Sequence, residues 1–186
     1  MDLLIKNVMV PLSEYATVPQ SATLSEAVSV LKDSQKKFDQ SRYRHRAILV
    51  YDENNKIVGK VSQLDILKSL EPKYDDMLTG TRRSFNMGFT RNFQKAMLEQ
   101  LRLWEAPMKQ ICKKAAEKRV DSFMTRPEEG EFIEAEAHLN EGIHQLVLGN
   151  HQSLLVISSE SKEIIGILRL TDVFEAVAAE IAECKR

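Results

Sequence analysis

The sequence is poor in the features that mark several specialised classes of protein. Its 186 residues include two cysteines, Cys112 and Cys184, which lie far apart and have no metal-ligand neighbour. A disulfide framework is therefore not expected, and a reducing compartment fits best. No apolar run approaches the roughly 20 residues of a membrane-spanning helix, and the first residues lack the length and charge pattern of a signal peptide. We therefore expect a cytoplasmic protein without membrane insertion.

Strong net charge and catalytic motifs are also missing. The 26 basic and 27 acidic side chains give a formal net charge of −1, so the whole chain has no electrostatic preference for nucleic acid or anionic membranes. The sequence has no Ser/His/Asp set, no HExxH motif and no phosphate-binding glycine loop. We therefore expect a protein that is not an enzyme and that needs neither a metal nor a redox cofactor.

What the sequence does contain is an internal repeat. The stretch Gly59–Asp65 reads Gly-Lys-Val-Ser-Gln-Leu-Asp, and Gly166–Asp172 has the same order of a glycine, two strand residues, a turn and an aspartate, with Arg169 in place of Ser62. Each stretch follows strand-forming residues and precedes apolar residues at helical spacing, which predicts a strand that runs directly into a helix. In the first copy, the Ser62 hydroxyl and the Asp65 carboxylate suit a capping box. The doubled stretch indicates an internal duplication.

The duplication divides most of the chain into two units. Each unit is predicted to run strand, helix, strand, strand, helix, the first in residues 1–72 and the second in residues 120–182. The first helix should begin at a capping box formed by Thr23 and Glu26. Residues 73–119 lie between the units and hold 11 Lys or Arg against 5 Asp or Glu, a balance of +6 in a chain that is otherwise acidic.

Residues 73–119 are predicted to be a charged, mainly helical insert. Residues 91–105 carry large apolar side chains at helical spacing: Phe93, Met97, Leu101 and Trp104. Such a stripe most often packs in the core or against a second copy of the chain, which makes the insert a candidate for dimerisation or for signal readout. Pro107 suits the first turn of a further helix. The basic residues are interpreted as a solvated face, with nucleic-acid binding as the alternative.

The repeated pattern resembles the cystathionine-β-synthase (CBS) domain, present as a tandem pair. In the first copy the resemblance is carried by Val8-Met9…Pro11, Thr23-Leu24…Glu26-Ala27, Ile48-Leu49-Val50 and the stretch from Gly59 to Asp65. In the second copy it is carried by Phe123-Met124, Leu139…Glu141 and the stretch from Gly166 to Asp172. The resemblance covers the chain except for the insert. It implies an α+β fold in which two β-α-β-β-α units pack through their sheets with pseudo-two-fold symmetry and leave two clefts between them.

The resemblance also implies a ligand. In many members of the family the clefts bind adenosine compounds such as AMP, ADP, ATP or S-adenosylmethionine. By resemblance, Asp65 would take the ribose hydroxyls, Ser62 would help to hold the ribose or a phosphate, and apolar residues near Met9 would enclose the adenine.

The second copy departs from this pattern at one position. Asp172 matches, but Arg169 stands where the family usually has Ser or Thr, and Thr171 is shifted by two positions and cannot simply replace it. The cleft at the first motif is therefore the better candidate. The second cleft is either empty or uses Arg169 on a phosphate.

A basic cluster precedes the first central strand. It consists of Arg42, Arg44, His45 and Arg46, which lie close enough in sequence to supply charge-assisted hydrogen bonds to a phosphate tail. The alternative is a solvated loop. His45 has no second ligand at metal-binding spacing, so we do not interpret it as a metal ligand.

The leading hypothesis is a non-catalytic regulatory module. An adenine nucleotide bound between the units would shift a conformational equilibrium that an unidentified protein partner reads, and we expect a homodimer. The main alternative is a structural or dimerisation module that binds no ligand. An enzyme and a DNA-binding regulator that acts through the insert are the remaining alternatives.

Overall fold

The computed structural model describes residues 3–37, 45–74 and 90–184. The α-helices are α1 (Leu24–Lys37), α2 (Gln63–Ser69), α3 (Arg91–Gln100), α4 (Met108–Ala115), α5 (Leu139–Gly149) and α6 (Leu170–Glu183). The strands are β1 (Val10–Pro11), β2 (Thr17–Pro19), β3 (Ala47–Tyr51), β4 (Ile57–Ser62), β5 (Phe132–Glu134), β6 (Ser153–Ile157) and β7 (Ile164–Arg169). None of the helices in the described ranges has the length and apolar character needed to cross a membrane.

The strands form two small sheets that repeat one another. In the first sheet β2 pairs in parallel with β3, and β3 pairs antiparallel with β4. In the second sheet β5, β6 and β7 pair in the same way. The two hairpins even share a register shift at the same place, between Val50 and Tyr51 and between Val156 and Ile157. The α+β architecture and the duplication predicted from the sequence are therefore confirmed strand by strand.

The first sheet and its helix form where the sequence predicts them. The apolar run Ala47–Tyr51 is β3, and its three central residues are buried. The capping box before α1 is present, since the Glu26 carboxylate accepts from the Thr23 backbone N–H at 2.7 Å and from its hydroxyl at 2.9 Å. The helix then turns its apolar face inward and buries Leu24, Ala27 and Leu31.

The insert is helical, but its first helix is shorter than the spacing of apolar residues predicts. Helix α3 ends at Gln100, and the chain turns through Arg102 and Trp104, which have φ values of 51° and 59°. The predicted helical position of Trp104 is therefore wrong. The Trp104 indole N–H instead donates to the Tyr74 hydroxyl at 3.1 Å.

Contacts with the end of the first unit explain this early stop. The buried Glu71 carboxylate accepts from the Trp104 backbone N–H at 2.9 Å. Lys73 Nζ donates to the carbonyls of Leu101 and Arg102, at 2.7 and 3.0 Å. These groups satisfy the backbone at the end of α3, so tertiary contacts outweigh the helical spacing.

Each unit completes the sheet of the other. We call residues 5–11 and 120–125, which lie at the start of the two units, the lead-in segments. Strand β1 in the first of them pairs antiparallel with β7, with Val10 opposite Ile167. In the second of them, Thr125 bridges Lys60 on β4, and the two residues exchange both backbone hydrogen bonds at 2.9 Å. Each lead-in segment therefore lies on the sheet of the other unit.

The hydrophobic cores show the same exchange. Ile5 is fully buried in the core of the second sheet, together with Leu139 and Leu168. Val120 is fully buried in the core of the first sheet, beside Val61. Burying such a side chain contributes about 1.5–3 kcal/mol, so the exchanged side chains help to hold the two units together.

Two glycines of the repeated motif leave room for these crossings. A Cβ atom on Gly59 would lie 2.7 Å from Met124 Sδ, and one on Gly166 would lie 2.7 Å from the Val10 carbonyl oxygen and 2.9 Å from Met9 Sδ. The methionine of each lead-in segment thus passes over the glycine of the other unit. This contact gives a physical reason for glycine at the start of both motifs.

We expect Gly166→Ala to lower the free energy of unfolding by about 1–3 kcal/mol, because overpacking a close contact costs about this much. Gly59→Ala should cost less, because a thioether moves more easily than the backbone carbonyl beside Gly166. Urea unfolding measures both effects. Gly130→Ala is the control, since its Cβ would approach the nearest atom, His151 Nε2, only to 4.0 Å. Equal stability of Gly166→Ala and the control would contradict the packing argument.

Candidate ligand-binding cleft

A cleft of about 450 Å³ opens between the two units, where β4 meets α2 and β7 meets α6. This volume suits a small-molecule ligand. The predicted site residues that line it are Arg46, Ser62, Asp65, Arg169 and Thr171. A larger opening of about 630 Å³ lies between α4 and the end of α2 and contains none of the predicted site residues.

The Ser62–Asp65 pair forms the predicted capping box at the start of α2. Asp65 Oδ2 accepts from the Ser62 backbone N–H at 2.8 Å and from its hydroxyl at 2.7 Å, and the Asp65 N–H donates back to Ser62 Oγ at 3.1 Å. Asp65 Oδ1 accepts from the Thr125 hydroxyl at 3.1 Å. The carboxylate is thus held at the cleft wall by both units. Thr125 was not predicted as a site residue. Its position directly after Met124 in the repeated lead-in segment is the feature of the sequence that could have indicated this contact.

A second link between the units crosses the cleft wall. Lys60 on β4 forms an ion pair with Glu131, which precedes β5 and is 7% exposed. Burial raises the pKa of Glu131, but hydrogen bonds from Lys60 and from the Glu128 backbone N–H outweigh it and hold the pKa below its usual value. Glu131 is therefore ionised at neutral pH. The sequence analysis missed this pair because its members are 71 residues apart.

Two further cations lie around the cleft. Arg46 is exposed and Lys68 is half-buried, and both line the cavity. Neither side chain forms an ion pair within the part of the chain that the structure describes. They can therefore offer charge-assisted hydrogen bonds to an anionic ligand. Arg42 and Arg44, which were predicted to share this role, lie outside the described residues.

The second motif has a different arrangement at the equivalent place. Arg169 is 6% exposed, and its Nε and Nη2 atoms each donate to one oxygen of Asp172 at 2.5 Å. Arg169 Nη1 lies 3.5 Å from His45 Nδ1. The His45 ring in turn meets the Tyr15 ring edge-on, with centroids 4.2 Å apart. These four side chains form a cluster where β7 meets α6, and we call this place the second corner of the cleft. The first corner is the place where β4 meets α2 and where Ser62 and Asp65 lie.

Burial fixes the ionisation of this cluster. It lowers the pKa of His45 to about 4, with a further contribution from the Arg169 charge. It raises the pKa of Tyr15 to about 12. At neutral pH, His45 is therefore an uncharged interior ring that is 1% exposed. Met9, another predicted site residue, packs against Gly166 and the core of the second sheet.

The cleft contains no cluster suited to a metal ion. Within the described ranges, no three His, Cys, Asp or Glu side chains come together in a group that could hold one. The cleft chemistry consists of one carboxylate held by two hydroxyl groups, one inter-unit ion pair and two flanking cations. These groups can bind and orient a polar ligand that carries hydroxyl groups and negative charge.

Comparison with known proteins identifies the fold. Residues 5–72 match the model of the CBS domain family. A CBS domain-containing protein of Bacillus anthracis is 16% identical, with a TM-score of 0.61, and the match covers 95% of this chain and 94% of that one. The CBS-pair protein CBSX2 of Arabidopsis thaliana is 19% identical, with a TM-score of 0.61 and coverage of 98% and 99%.

A structure of CBSX2 in complex with AMP is also similar, at 18% identity, a TM-score of 0.57 and 98% coverage of both chains. No curated protein matches the chain. At these identities the structural likenesses show the fold alone. The predicted resemblance is confirmed: residues 5–72 match the CBS domain family, and the chain has the fold of a tandem CBS pair.

The buried His45 should make the protein less stable in acid. Because its pKa is lowered from 6.5 to about 4, the unfolded chain binds a proton between these pH values that the folded protein does not bind. The free energy of unfolding should therefore fall by about 2 kcal/mol between pH 7 and pH 5, at about 1.4 kcal/mol per pKa unit.

Urea unfolding of His45→Gln at both pH values measures this contribution, and we expect the variant to lose less stability than the wild-type protein on acidification. His144→Gln, which replaces an exposed histidine on α5, is the matched control. If His45→Gln and the control show the same loss between pH 7 and pH 5, the buried His45 is not the cause.

Proposed function

We propose that this tandem CBS pair is a non-catalytic regulatory module that binds an adenine nucleotide at the first motif. The observation that carries the proposal is the Asp65 carboxylate, which both units hold at the wall of the inter-unit cleft, where Arg46 and Lys68 also line the cavity. The similar CBSX2 structure that contains AMP supports the choice of ligand class. The candidate ligands are AMP, ADP, ATP and S-adenosylmethionine.

The proposed contacts follow from the chemistry of the cleft. Each oxygen of a carboxylate can accept more than one hydrogen bond, so Asp65 can accept ribose hydroxyls while it keeps its bonds to Ser62 and Thr125. Arg46 and Lys68 would then bind the phosphates through charge-assisted hydrogen bonds. This distribution of charge favours the nucleotides over S-adenosylmethionine, which lacks a phosphate.

A bound phosphate would also affect the contact between the units. Lys60 pairs with Glu131 across the cleft wall, so an anionic ligand would compete with Glu131 for Lys60. A ligand can shift a conformational equilibrium only if it binds one arrangement better than the other. Competition for Lys60 provides such a difference, because the pair joins β4 of one unit to the segment before β5 of the other.

The insert is the proposed readout surface. It is attached to the end of α2 through Glu71 and Lys73, so a displacement of α2 would reach α3. The insert also keeps large apolar side chains exposed to solvent, at Phe93, Leu98 and Met108. A protein partner that covers this surface would sense the state of the cleft.

The proposed homodimer uses a different surface. Leu67 on α2 and Phe174 on α6 hold the same position in the repeated motif, and they are 56% and 63% exposed. Leu64 and Leu170, at the starts of the same helices, both line the cleft, so the two helices begin at the same cavity. A surface built from two equivalent halves suits an isologous contact with a second copy of the chain.

A structural module that binds no ligand is the second candidate function. The observation in its favour is that both motif carboxylates already have partners inside the protein. Asp65 accepts hydrogen bonds from Ser62 and Thr125, and Asp172 accepts them from Arg169. On this hypothesis the carboxylates only cap helices and join the units.

Asp65→Asn should weaken nucleotide binding by about 10–100-fold, which corresponds to one charge-assisted hydrogen bond of about 1.5–3 kcal/mol. Calorimetric titration with AMP, ADP, ATP and S-adenosylmethionine measures this effect. Asp33→Asn, on the exposed face of α1, removes the same charge away from the cleft and should leave the affinity unchanged. If the wild-type protein binds none of the four compounds, the ligand-free candidate is correct.

Phe174→Glu should raise the dissociation constant of the dimer at least about tenfold, because a charge would be buried without a partner in the contact. Sedimentation equilibrium measures the association. Leu148→Glu is the control, since Leu148 on α5 is 74% exposed but lies outside the proposed contact. Equal dimerisation of both variants, or a monomeric wild-type protein, would rule out this contact.

A further inference from the structure

We propose that Arg169 fills the second corner of the cleft as a built-in ligand, so that the chain has one open nucleotide site and one latent site. The inference rests on the proposed function, because it takes the first corner as the open site. It concerns the place where the internal repeat should generate a second copy of that site.

The repeat puts Arg169 and Ser62 at the same backbone position. Ser62 is the last residue of β4 and lies opposite Ala47, and Arg169 is the last residue of β7 and lies opposite Ser153. Each then serves as the N-cap of the following helix in an extended conformation, with φ and ψ of −89° and 167° for Ser62 and −94° and 143° for Arg169. The two corners therefore differ in side chains and not in backbone path.

The side chains produce opposite results at the two corners. Ser62 is short, and both Ser62 and Asp65 line the cavity, although Asp65 is only 9% exposed. Arg169 is long, and its planar guanidinium donates two parallel hydrogen bonds to the two oxygens of Asp172. Two neighbouring hydroxyls of a sugar would offer the same pair of donors to a carboxylate. The guanidinium thus lies directly in front of the carboxylate, where a sugar ligand would have to approach both oxygens.

The residues around the second corner also indicate that it does not bind a nucleotide. Where the first corner has Lys60 bridged to Thr125, the second has Ile167 paired with Val10, so both polar side chains are replaced by apolar ones. Lys68 is likewise replaced, by Glu175. The second corner therefore lacks the groups that would hold a phosphate at the first.

Arg169 itself is not available to a phosphate in this arrangement. Its side chain is 7% exposed and that of Asp172 is 19% exposed, and His45 and Tyr15 pack beside them. A phosphate that displaced Asp172 from the guanidinium would leave a largely buried carboxylate without its partner. Breaking such a pair is costly. The sequence left two alternatives for this corner, an empty site or Arg169 bound to a phosphate, and the geometry favours the empty site.

The test is to replace Arg169 by the residue that the first motif carries. Calorimetric titration with AMP and with ATP should give one site per chain for the wild-type protein and two for Arg169→Ser. The second site should be at least about tenfold weaker than the first, because it lacks the lysines of the first corner, and one charge-assisted hydrogen bond alone corresponds to about that factor. Arg126→Ser removes the same charge from an exposed position and should keep one site.

Asp65→Asn distinguishes this inference from the proposed function. In the wild-type background it should weaken the single site by about 10–100-fold, whereas Arg169→Ser combined with Asp65→Asn should keep the second site at the affinity that it has in Arg169→Ser alone. If folded Arg169→Ser binds one nucleotide like the wild-type protein, the inference fails and the proposed function stands. If the wild-type protein binds nothing and Arg169→Ser binds one nucleotide, the inference stands and the proposed function fails.

The remaining outcomes are also decisive. Binding of two nucleotides by the wild-type protein would overturn the inference, as would absence of binding by both proteins. Circular dichroism shows whether Arg169→Ser is folded. If it is not, Asp65→Asn in the wild-type background decides: weakening of all nucleotide binding supports a single open corner, and retention of half of the sites at wild-type affinity overturns it.

Discussion

The crossing of each lead-in segment over the glycine of the other unit is the contact on which the rest of the structure depends. Met9 passes over Gly166 and Met124 passes over Gly59, with no space for a side chain at either glycine. The same crossing brings Thr125 to the Asp65 carboxylate. The cleft is therefore a product of the exchange, because residues of one unit reach it only by lying on the sheet of the other.

The sequence predicts those parts of the fold that depend on local spacing. The capping box of Ser62 and Asp65 and the strand Ala47–Tyr51 follow from neighbouring residues, and both are observed. The sequence cannot reveal which sheet a lead-in segment joins. From spacing alone, Met9 could pack against Gly59 of its own unit or against Gly166 of the other unit. The end of α3 is similarly hidden, since it depends on Glu71, which is distant in the chain from Trp104.

The candidate site was predictable to the extent that it repeats within the chain. Ser62, Asp65 and Arg46 were predicted from the motif and its flanking cluster, and the structure places them on the same cleft. Lys60 and Glu131 belong to different units, so their pairing could not be predicted from local spacing. The sequence did not decide whether the Arg169 side chain binds a phosphate or pairs with Asp172. Their spacing of three residues at a helix start nevertheless permits the ion pair that forms.

Duplication supplies two equivalent backbones, and substitution at a single position can then give them different roles. Arg169 forms its ion pair with Asp172 at one corner, yet its side chain also contributes to the lining of the cleft at the other. Asp172 compensates the charge of Arg169 at close range, and Glu131 compensates that of Lys60. On our proposal, one Ser-to-Arg difference therefore closes one copy of a duplicated corner and leaves the other copy open on an equivalent backbone.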